Sequence, residues 1–417
     1  MSSSPSDFSS SNRRGFLKIL GASSVGALLG PIAPQASAGQ TAATASPAQP
    51  TANPGELFAG PEKIPLTLVT DRPLQLETPL RYFRTDITPN DTFYVRTHLA
   101  SFPTRIDTAT YKVNVGGQVE KPFSLSLDEL RKLPAVEITA VNQCSGNSRS
   151  SFKPRVAGVQ WGNGAMGNAK WKGARLKDVL ERAGVKAGAV EVQFDGLDTG
   201  VLKETPDYVK SLPLDRAMHP DTLLAYEMNG APLPMLNGFP VRLVVPGWFA
   251  TYWMKWLTEI KVNDATQALA NFWMKPAYRI PTTPDANEDP AALSKDTIPI
   301  HRMSVRSLIV QPEPQADVKL NQAFEINGIA FDGGSGIKSV EVSVDGGAAW
   351  LPATLGPDLG NFSFRRFRYA WTPGKDGAYR LMSRATSNDG AQQPATTIWN
   401  RSGYMRNVTE STFVFVS

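Results

Sequence analysis

The sequence predicts an α+β domain followed by an immunoglobulin-like β-sandwich domain. Between Pro61 and about Asn263, short apolar runs alternate with capped helical segments, without a regular βαβ rhythm. Beyond residue 300 helical periodicity is missing, and short strands alternate with turn signals such as Asp332-Gly333-Gly334. A chain of 417 residues is also too long for one ordinary core. We therefore predict two domains, over residues 61–295 and 296–417.

The composition describes a folded globular protein that does not bind nucleic acid. Hydrophobic residues make up 41% and charged residues 19% of the chain, and 34 glycines and 33 prolines imply many turns. The formal net charge of +5 is small and dispersed, and no basic block interleaved with aromatic residues is present. The single cysteine, Cys144, excludes an internal disulfide, so stability has to come from core burial.

The N-terminus has the pattern of an export signal. Arg13-Arg14 precede an apolar run from Ile19 to Gly30, and Ala36-Ser37-Ala38 gives a small-x-small cleavage signature. This pattern predicts a signal peptide over residues 1–38 that the twin-arginine export machinery recognises, and a flexible leader over residues 39–60. An uncleaved anchor is the alternative, but the run is too short and too rich in glycine for stable membrane insertion. We expect a protein that reaches the periplasm already folded.

Four elements of the first domain follow from local patterns. Thr92–His98 is rich in aromatic and β-branched residues and predicts a strand. Tyr111–Gly117 alternates with a period of two and ends in a turn. Ser126–Leu133 begins with a capping serine and predicts a short helix, and Leu176–Gly184 predicts a second helix that its glycine ends.

The remaining elements are strands and one long connection. Ala135–Val141, Val241–Gly247 and Leu257–Val262 predict strands, whereas residues 264–300 are irregular and contain several prolines. In the second domain the predicted strands are Ser304–Val310, Phe324–Ala330, Ser339–Val344, Phe364–Trp371, Gly377–Thr386 and Thr412–Val416.

Cys144 is the most informative single residue. It follows the predicted strand Ala135–Val141, is flanked by turn-forming residues and precedes a cation, Arg149, by five positions. A free thiol in such a position is suited to metal ligation or nucleophilic chemistry. A buried cysteine that acts as a small hydrophobic residue is the alternative, and the local sequence leaves both open.

Four separated segments resemble the molybdenum-containing sulfite oxidase and sulfite dehydrogenase family. The segments are Phe93–His98, Cys144–Arg149, Gly238–Trp248 with Lys255–Leu257, and Phe272–Arg279. Gly162–Asn168 further resembles the bacterial periplasmic sulfite dehydrogenases that pass electrons to cytochrome c. The resemblance implies a sulfite-oxidase-type molybdopterin domain followed by the sandwich, a molybdenum-molybdopterin cofactor, and Cys144 as the metal ligand.

The resemblance also implies the residues that act on the substrate. Arg96, Arg149 and Arg406 would surround a small sulfur oxyanion, because guanidinium forks offer paired donors and stay ionised. Tyr278 would contribute a phenol that hydrogen-bonds the substrate and relays a proton. Simple packing is the alternative for Tyr278.

The resemblance implies a second set of residues that bind the cofactor. They are Tyr94, Val95, Arg96, Thr97, His98, Asp198, Asn237, Arg242, Trp253, Met254 and Lys255. Arg242 and Lys255 would hold the cofactor phosphate, although both could be ordinary strand cations. His98 could equally be a structural histidine and Asp198 a turn cap. Asn237 stands where animal members have a histidine.

The implied function is oxidation of sulfite to sulfate at a mononuclear oxo-molybdenum centre, with a c-type cytochrome as electron acceptor. One cysteine excludes the Cys-x-x-Cys-His attachment site, so we expect no haem in this chain. The alternatives are a sulfane-sulfur dehydrogenase of the thiosulfate-oxidising system and a methionine-sulfoxide reductase-type molybdoenzyme. A non-enzymatic alternative is an exported β-rich binding module with a buried cysteine.

Overall fold

β-Strands dominate the part of the chain that the structure describes. The computed structural model describes residues 55–417 except Glu56, Pro61 and residues 284–286. The predicted signal peptide and most of the predicted leader lie outside the described residues. None of the helices within these residues has the length and apolar character needed to cross a membrane.

The first part of the described chain contains sixteen strands and three short α-helices. The strands are β1 (Leu57–Gly60), β2 (Lys63–Thr70), β3 (Gln75–Glu77), β4 (Val95–Arg96), β5 (Lys112–Gly117), β6 (Phe123–Ser126), β7 (Ala135–Gln143), β8 (Met166–Arg175), β9 (Ala189–Asp195), β10 (Lys210–Pro213), β11 (Leu223–Met228), β12 (Ala231–Pro232), β13 (Arg242–Val244), β14 (Glu259–Asp264), β15 (Arg279–Pro281) and β16 (Thr297–Pro299). The helices are α1 (Leu127–Arg131), α2 (Leu176–Ala183) and α3 (Leu214–Ala217).

Two five-stranded sheets organise this part. One has the order β10-β9-β14-β5-β6, and the other runs β12-β11-β8-β7 with β13 paired to β11. A four-stranded sheet, β1-β2-β3-β4, and the pair β15-β16 lie beside them. The alternating pattern of β5 is confirmed, because Val113 and Val115 are buried while the residues between them are exposed.

Both predicted helices are present, and their ends have the expected physical causes. The hydroxyl of Ser126 accepts a hydrogen bond from the backbone N–H of Glu129, whose carboxylate accepts one from the backbone N–H of Ser126. This reciprocal pair satisfies two backbone donors that α1 would otherwise leave unpaired. Gly184 ends α2 with φ = +70°, a conformation that glycine adopts without steric cost.

Two sequence predictions of secondary structure are wrong. The strand predicted over Thr92–His98 shrinks to the two residues of β4, because Phe93 and Tyr94 pack into the core instead of continuing a ladder. The connection predicted to be irregular over residues 264–300 contains β15 and β16, which pair across the predicted domain boundary. The domain boundary itself stays a prediction.

The second part of the chain consists of two sheets. Its strands are β17 (Arg306–Gln311), β18 (Asp317–Val318), β19 (Phe324–Phe331), β20 (Ile337–Ser343), β21 (Leu351–Pro352), β22 (Thr354–Leu355), β23 (Arg365–Trp371), β24 (Gly377–Ser387) and β25 (Ser411–Val416). The sheets have the orders β17-β19-β23-β22 and β18-β25-β24-β20-β21. They share a core that includes Ile326, Val342 and Leu381. The strand positions agree with the prediction, while the immunoglobulin-like class of this domain stays a prediction.

The two parts pack directly on each other. Leu308, Ile329 and Phe364 of the second part belong to the same hydrophobic core as the sheets of the first part. A charged network lies at this junction: the Glu410 carboxylate accepts hydrogen bonds from Arg306 at 2.7 Å and from Arg406 at 2.5 Å. The other Glu410 oxygen accepts from Asn163 Nδ2 at 2.6 Å, which ties the network to the first part.

Glu410→Gln is expected to destabilise the protein, because it removes the carboxylate that Arg306 and Arg406 share. The Arg306 side chain is only 1% exposed, so its charge would stay buried without a counterion. We expect the free energy of unfolding to fall by about 3 kcal/mol, measured by urea unfolding. Glu325→Gln, in the exposed pair with Arg368, is the control and should change it by less than about 0.5 kcal/mol. Equal stability of the two variants would contradict this prediction.

Candidate active site

Cys144 lies where two cavities meet. It directly follows β7, whose full-length pairing with β8 fixes the end of the strand. The backbone N–H of Cys144 donates to Ala165 O at 2.9 Å, and the residue is only 7% exposed. Its thiol side chain lines both an inner cavity and an outer cavity. Cys144 is therefore accessible from both cavities, while its predicted role as a metal ligand stays a prediction.

The inner cavity has a volume of about 570 Å³ including open space. Its lining combines cations, aromatic rings and amides around the cysteine. The lining residues are Tyr94, Arg96, His98, Asn142, Cys144, Ser145, Asp198, Tyr208, Leu236, Asn237, Arg242, Ala250, Thr251, Trp253, Met254, Lys255, Trp256 and Tyr278.

Positive charge is in excess around the inner cavity. Arg96, Arg242 and Lys255 face it with Asp198 as the one carboxylate in its lining. Burial lowers the pKa of Lys255 well below its usual value, although Asp198 opposes the shift. Burial likewise raises the pKa of Asp198 to about 6, although Lys255 opposes that shift. An anionic ligand would relieve this excess.

The cations are held in place by main-chain oxygens, which leaves other donors free. Arg242 donates from Nη1 to Asn237 O at 2.8 Å and from Nη2 to Trp253 O at 3.2 Å, and Lys255 donates to Leu236 O at 2.9 Å. The buried Nε of Arg242 and Nδ2 of Asn142 have no hydrogen-bond partner within the protein. Unpaired buried donors are costly, so the cavity is built for a ligand that carries acceptors.

Asn237 connects the cavity to a buried lysine that the sequence did not indicate. Its Oδ1 accepts from Lys63 Nζ at 2.6 Å, and its Nδ2 donates to Tyr94 O at 3.1 Å. Burial lowers the pKa of Lys63 to about 7. Lys63 adds a further buried cation beside the Arg242 end of the cavity.

Arg96, Tyr278 and His98 form a series of polar side chains beside Cys144. Tyr278 Oη and His98 Nε2 are 2.6 Å apart, and all three residues line the inner cavity. Burial lowers the pKa of His98 well below its usual value and raises that of Tyr278. The His98 ring stacks on Tyr208 at 3.5 Å between centroids, which fixes its plane. The series therefore presents a neutral imidazole and a protonated phenol.

The outer cavity, of about 800 Å³ including open space, reaches Cys144 from the protein surface. It shares Arg96, Cys144, Ser145 and Tyr278 with the inner cavity. Its other lining residues are Arg149, Ala157, Gly158, Val159, Phe272, Trp273, Ala277, Arg401, Ser402 and Tyr404.

Arg149 is held in a cradle of glycines. Its Nε donates to Ser402 O and its Nη1 to Val159 O, each at 3.0 Å. A Cβ added to Gly146 would lie 2.5 Å from the guanidinium, and one added to Gly158 would lie 3.0 Å from Nη1. These glycines leave the space that the side chain occupies.

The structure brings together most of the side chains that the sequence predicted. Eleven of them line the inner cavity: Cys144, Tyr94, Arg96, His98, Asp198, Asn237, Arg242, Trp253, Met254, Lys255 and Tyr278. Arg149 lines the outer cavity.

Three predicted residues are placed elsewhere. Val95 packs among the leucines of the small sheet, and the Thr97 hydroxyl donates to Leu74 O at 2.8 Å. The backbone of Thr97 is also occupied, since its N–H donates to Leu74 O and its carbonyl accepts from Gln75 Nε2 at 2.7 Å. Arg406 pairs with Glu410 and lines neither of these cavities, so the structure does not place it near the substrate as predicted.

Sequence reasoning missed other residues of the site. Asn142 and Ser145 adjoin Cys144, so proximity in sequence could have found them. Tyr404 lies two residues before Arg406 and lines the outer cavity, where Arg406 was expected. Tyr208 gave no sequence signal, because only the fold brings its ring against His98.

Comparisons with known proteins find matches over most of the chain. The family model described as oxidoreductase molybdopterin binding domain matches residues 99–273, and the Mo-co oxidoreductase dimerisation domain matches residues 297–410. The chain is 35% identical over 362 residues to mitochondrial sulfite oxidase of Rattus norvegicus, covering 82% of this chain and 64% of the rat protein. It therefore spans slightly less than two thirds of that relative.

The chain matches a larger share of the length of two further proteins. Sulfite oxidase of Arabidopsis thaliana is 32% identical over 342 residues, which are 76% of this chain and 86% of the plant protein. The crystal structure of the sulfane dehydrogenase SoxCD from Paracoccus pantotrophus matches with a TM-score of 0.71 at 25% identity. That match covers 82% of this chain and 85% of the SoxCD chain.

Gly158→Ala is expected to weaken anion binding in the outer cavity, because the new Cβ would displace the Arg149 guanidinium. We expect the dissociation constant for sulfate, measured by titration calorimetry, to rise roughly tenfold. Gly188→Ala is the matched control: Gly188 also has a positive φ, +89°, but open space where a Cβ would be. Equal sulfate affinity of the two variants would contradict the role given to the cradle.

Proposed function

The chain belongs to the sulfite oxidase family of molybdopterin-dependent oxidoreductases, and we propose that it oxidises sulfite to sulfate in the periplasm and reduces a c-type cytochrome. The observation that carries this proposal is the meeting of the inner and outer cavities at Cys144. The inner cavity has the charge to hold an anionic cofactor. The outer cavity presents guanidinium groups and a phenol to a small oxyanion.

The cofactor of the chain is molybdenum-molybdopterin, and the inner cavity has the chemistry to hold it. Arg242 and Lys255 would bind its phosphate, and the unpaired Nδ2 of Asn142 would find an acceptor on it. In the described part of the chain, no three His, Cys, Asp or Glu side chains are grouped to bind a metal ion. Cys144 would therefore supply the one protein thiolate, and the dithiolene of the cofactor the other sulfur ligands. When bound, this group supplies oxygen-atom transfer and takes up two electrons.

Arg96 and Arg149 would bind the substrate oxyanion from two sides of Cys144. Burial alone would lower the pKa of Arg96, but Tyr278 and Cys144 outweigh it and raise that pKa, so the guanidinium stays charged. Guanidinium groups in a partly dry cavity bind oxyanions through short, charge-assisted hydrogen bonds. The two side chains would hold the oxygen atoms of sulfite beside Cys144.

Tyr278 would hold a proton next to the bound substrate. Because burial raises its pKa, the phenol keeps its proton and can donate it in a hydrogen bond to a substrate oxygen. His98 Nε2, 2.6 Å away and neutral, is an alternative acceptor for the same proton. The phenol can therefore direct its O–H hydrogen bond either to a substrate oxygen or to the imidazole while both side chains stay neutral.

The proposals of a cytochrome as electron acceptor and of a periplasmic location are based on the sequence alone. The twin-arginine pattern at Arg13-Arg14 supports periplasmic export, and a single cysteine leaves no covalent haem site in the chain. Electrons would therefore leave to a separate protein, and a c-type cytochrome suits the periplasm. Such redox contacts are commonly small and partly steered by charge.

Sulfane-sulfur oxidation is the second candidate function. The structural likeness to SoxCD, whose crystal structure is described as a sulfane dehydrogenase, favours it. The methionine-sulfoxide reductase alternative is weaker, because its catalytic subunits lack the C-terminal domain that the second family model matches. The molybdopterin-binding match opposes a binding module without a cofactor.

Sulfite-dependent reduction of ferricytochrome c by the purified, exported protein tests the proposed function. We expect sulfite to support reduction and protein-bound sulfane sulfur to support much less. Arg149→Gln should raise the KM for sulfite by about 30-fold, because it removes a charge-assisted contact in a confined site. Arg155→Gln, an exposed arginine near the cavity mouth, is the control and should leave KM within about twofold. Faster reduction with sulfane sulfur than with sulfite would favour the second candidate.

Cys144→Ser is expected to abolish sulfite oxidation, because a hydroxyl is a far poorer ligand than a thiolate for this metal. The substitution removes little buried volume, so thermal unfolding should stay close to that of the parent protein. Elemental analysis should give about one molybdenum per parent chain and less in the variant, with pterin fluorescence measured on the denatured protein. Near-normal turnover by Cys144→Ser would defeat the assignment.

A further inference from the structure

Residues 401–405, the cavity loop, come from the second part of the chain and form one wall of the outer cavity. The backbone N–H of Met405 donates to Ser145 O at 2.9 Å, next to Cys144. Arg149 Nε donates to Ser402 O at 3.0 Å on the other side of the cysteine segment. The cavity loop therefore contacts the Cys144–Arg149 segment at both of its ends.

Several contacts fix the conformation of the cavity loop. Asn400 clamps it, since its Oδ1 accepts from Tyr404 N at 3.0 Å and its Nδ2 donates to Tyr404 O at 2.8 Å. Arg401 is held by Glu288, which accepts from its backbone N–H at 2.8 Å and from its Nε at 2.7 Å. Gly403 has φ = +59°, and a Cβ there would lie 2.9 Å from Arg149 Cγ. The loop is therefore shaped to fit closely against Arg149.

The ring of Tyr404 lies against both the anion-binding arginine and the phenol of the site. It stacks on Tyr278 with 5.4 Å between centroids and an interplanar angle of 14°. The Arg149 guanidinium lies over the same ring, 5.1 Å from its centroid. Burial raises the pKa of Tyr404, so its phenol stays neutral beside Tyr278.

Removing the Tyr404 ring would take away one of the contacts that orient the Arg149 guanidinium. Tyr404 and Met405 also line a third cavity, of about 1410 Å³ including open space, on the interdomain side of the loop. Arg149 would keep its two bonds to main-chain oxygens but lose the aromatic surface that restricts its guanidinium.

We propose that Tyr404 is a positioning residue of the substrate site, whose ring holds the Arg149 guanidinium in the orientation that binds the oxyanion. The cavity loop is then part of the substrate site, so the second domain contributes directly to anion recognition. The identity of the oxyanion rests on the proposed function, but the anion-binding role of the ring does not.

Tyr404→Leu, Tyr404→Phe and a control variant test this proposal on the cofactor-loaded protein. Tyr226→Leu is the matched control, because Tyr226 is a buried tyrosine with Arg131 over its ring at 5.8 Å, and it lines none of the three cavities. The primary measurement is sulfate affinity by titration calorimetry, which needs no turnover. Molybdenum content and thermal unfolding are measured on the same samples.

Tyr404→Leu should weaken sulfate binding about tenfold, since a desolvated cation–π contact is lost. Tyr404→Phe keeps the ring and should stay within about twofold of the parent protein. The KM for sulfite should rise by the same factor as the sulfate dissociation constant, with a smaller change in kcat. Molybdenum content should be unchanged in all three variants.

Three outcomes would overturn the proposal. They are parent-like sulfate affinity in Tyr404→Leu, an equal loss of affinity in Tyr226→Leu, and no sulfate binding by the parent protein. Failure of the proposed function would look different: the parent protein would not oxidise sulfite, while the order of sulfate affinities among the variants would still hold.

Discussion

The excess of buried positive charge around Cys144 is the constraint on which the rest of the structure depends. Arg96, Arg242 and Lys255 surround a cavity whose lining contains a single carboxylate, Asp198. Burying cations without counterions is unfavourable, so such a cavity makes physical sense only as the site of an anionic group. The molybdopterin cofactor of the family carries a phosphate, and its charge matches this requirement. The fold therefore buries these three cations where the cofactor would bind.

Cys144 lies between two chemically different cavities. On the inner side, main-chain oxygens hold the cations and leave the Nε of Arg242 unpaired for a ligand. On the outer side, Arg149 and Tyr278 face a cavity that opens to the surface. One side can thus bind a group permanently while the other exchanges a small substrate.

The second domain is part of the site rather than an appendage to it. Its strands share a hydrophobic core with the first domain, and Glu410 binds Asn163 of the first domain together with Arg306. Residues 401–405 of the second domain thereby contact the cysteine segment, through the hydrogen bond from Met405 N to Ser145 O. The Mo-co oxidoreductase dimerisation domain model matches residues 297–410. In this chain the same region also contacts Arg149, through Ser402 O.

The sequence by itself determined several local features and predicted the chemistry of the centre. Capping at Ser126, the glycine that ends α2 and the alternation in β5 depend on neighbouring residues, so short patterns predict them. The single cysteine, read with the resemblance, was enough to predict Cys144 as the centre.

Only the tertiary structure decided which side chains meet at that centre. His98 and Tyr278 are 180 positions apart in sequence, and their 2.6 Å contact depends on how the sheets pack. The position of Arg406 also depends on a tertiary contact, because its guanidinium pairs with the Glu410 carboxylate that Arg306 shares. Tyr404, rather than Arg406, lines the outer cavity. Sequence patterns report periodicity and residue type, whereas the direction of a loop side chain is set by partners that are distant along the chain.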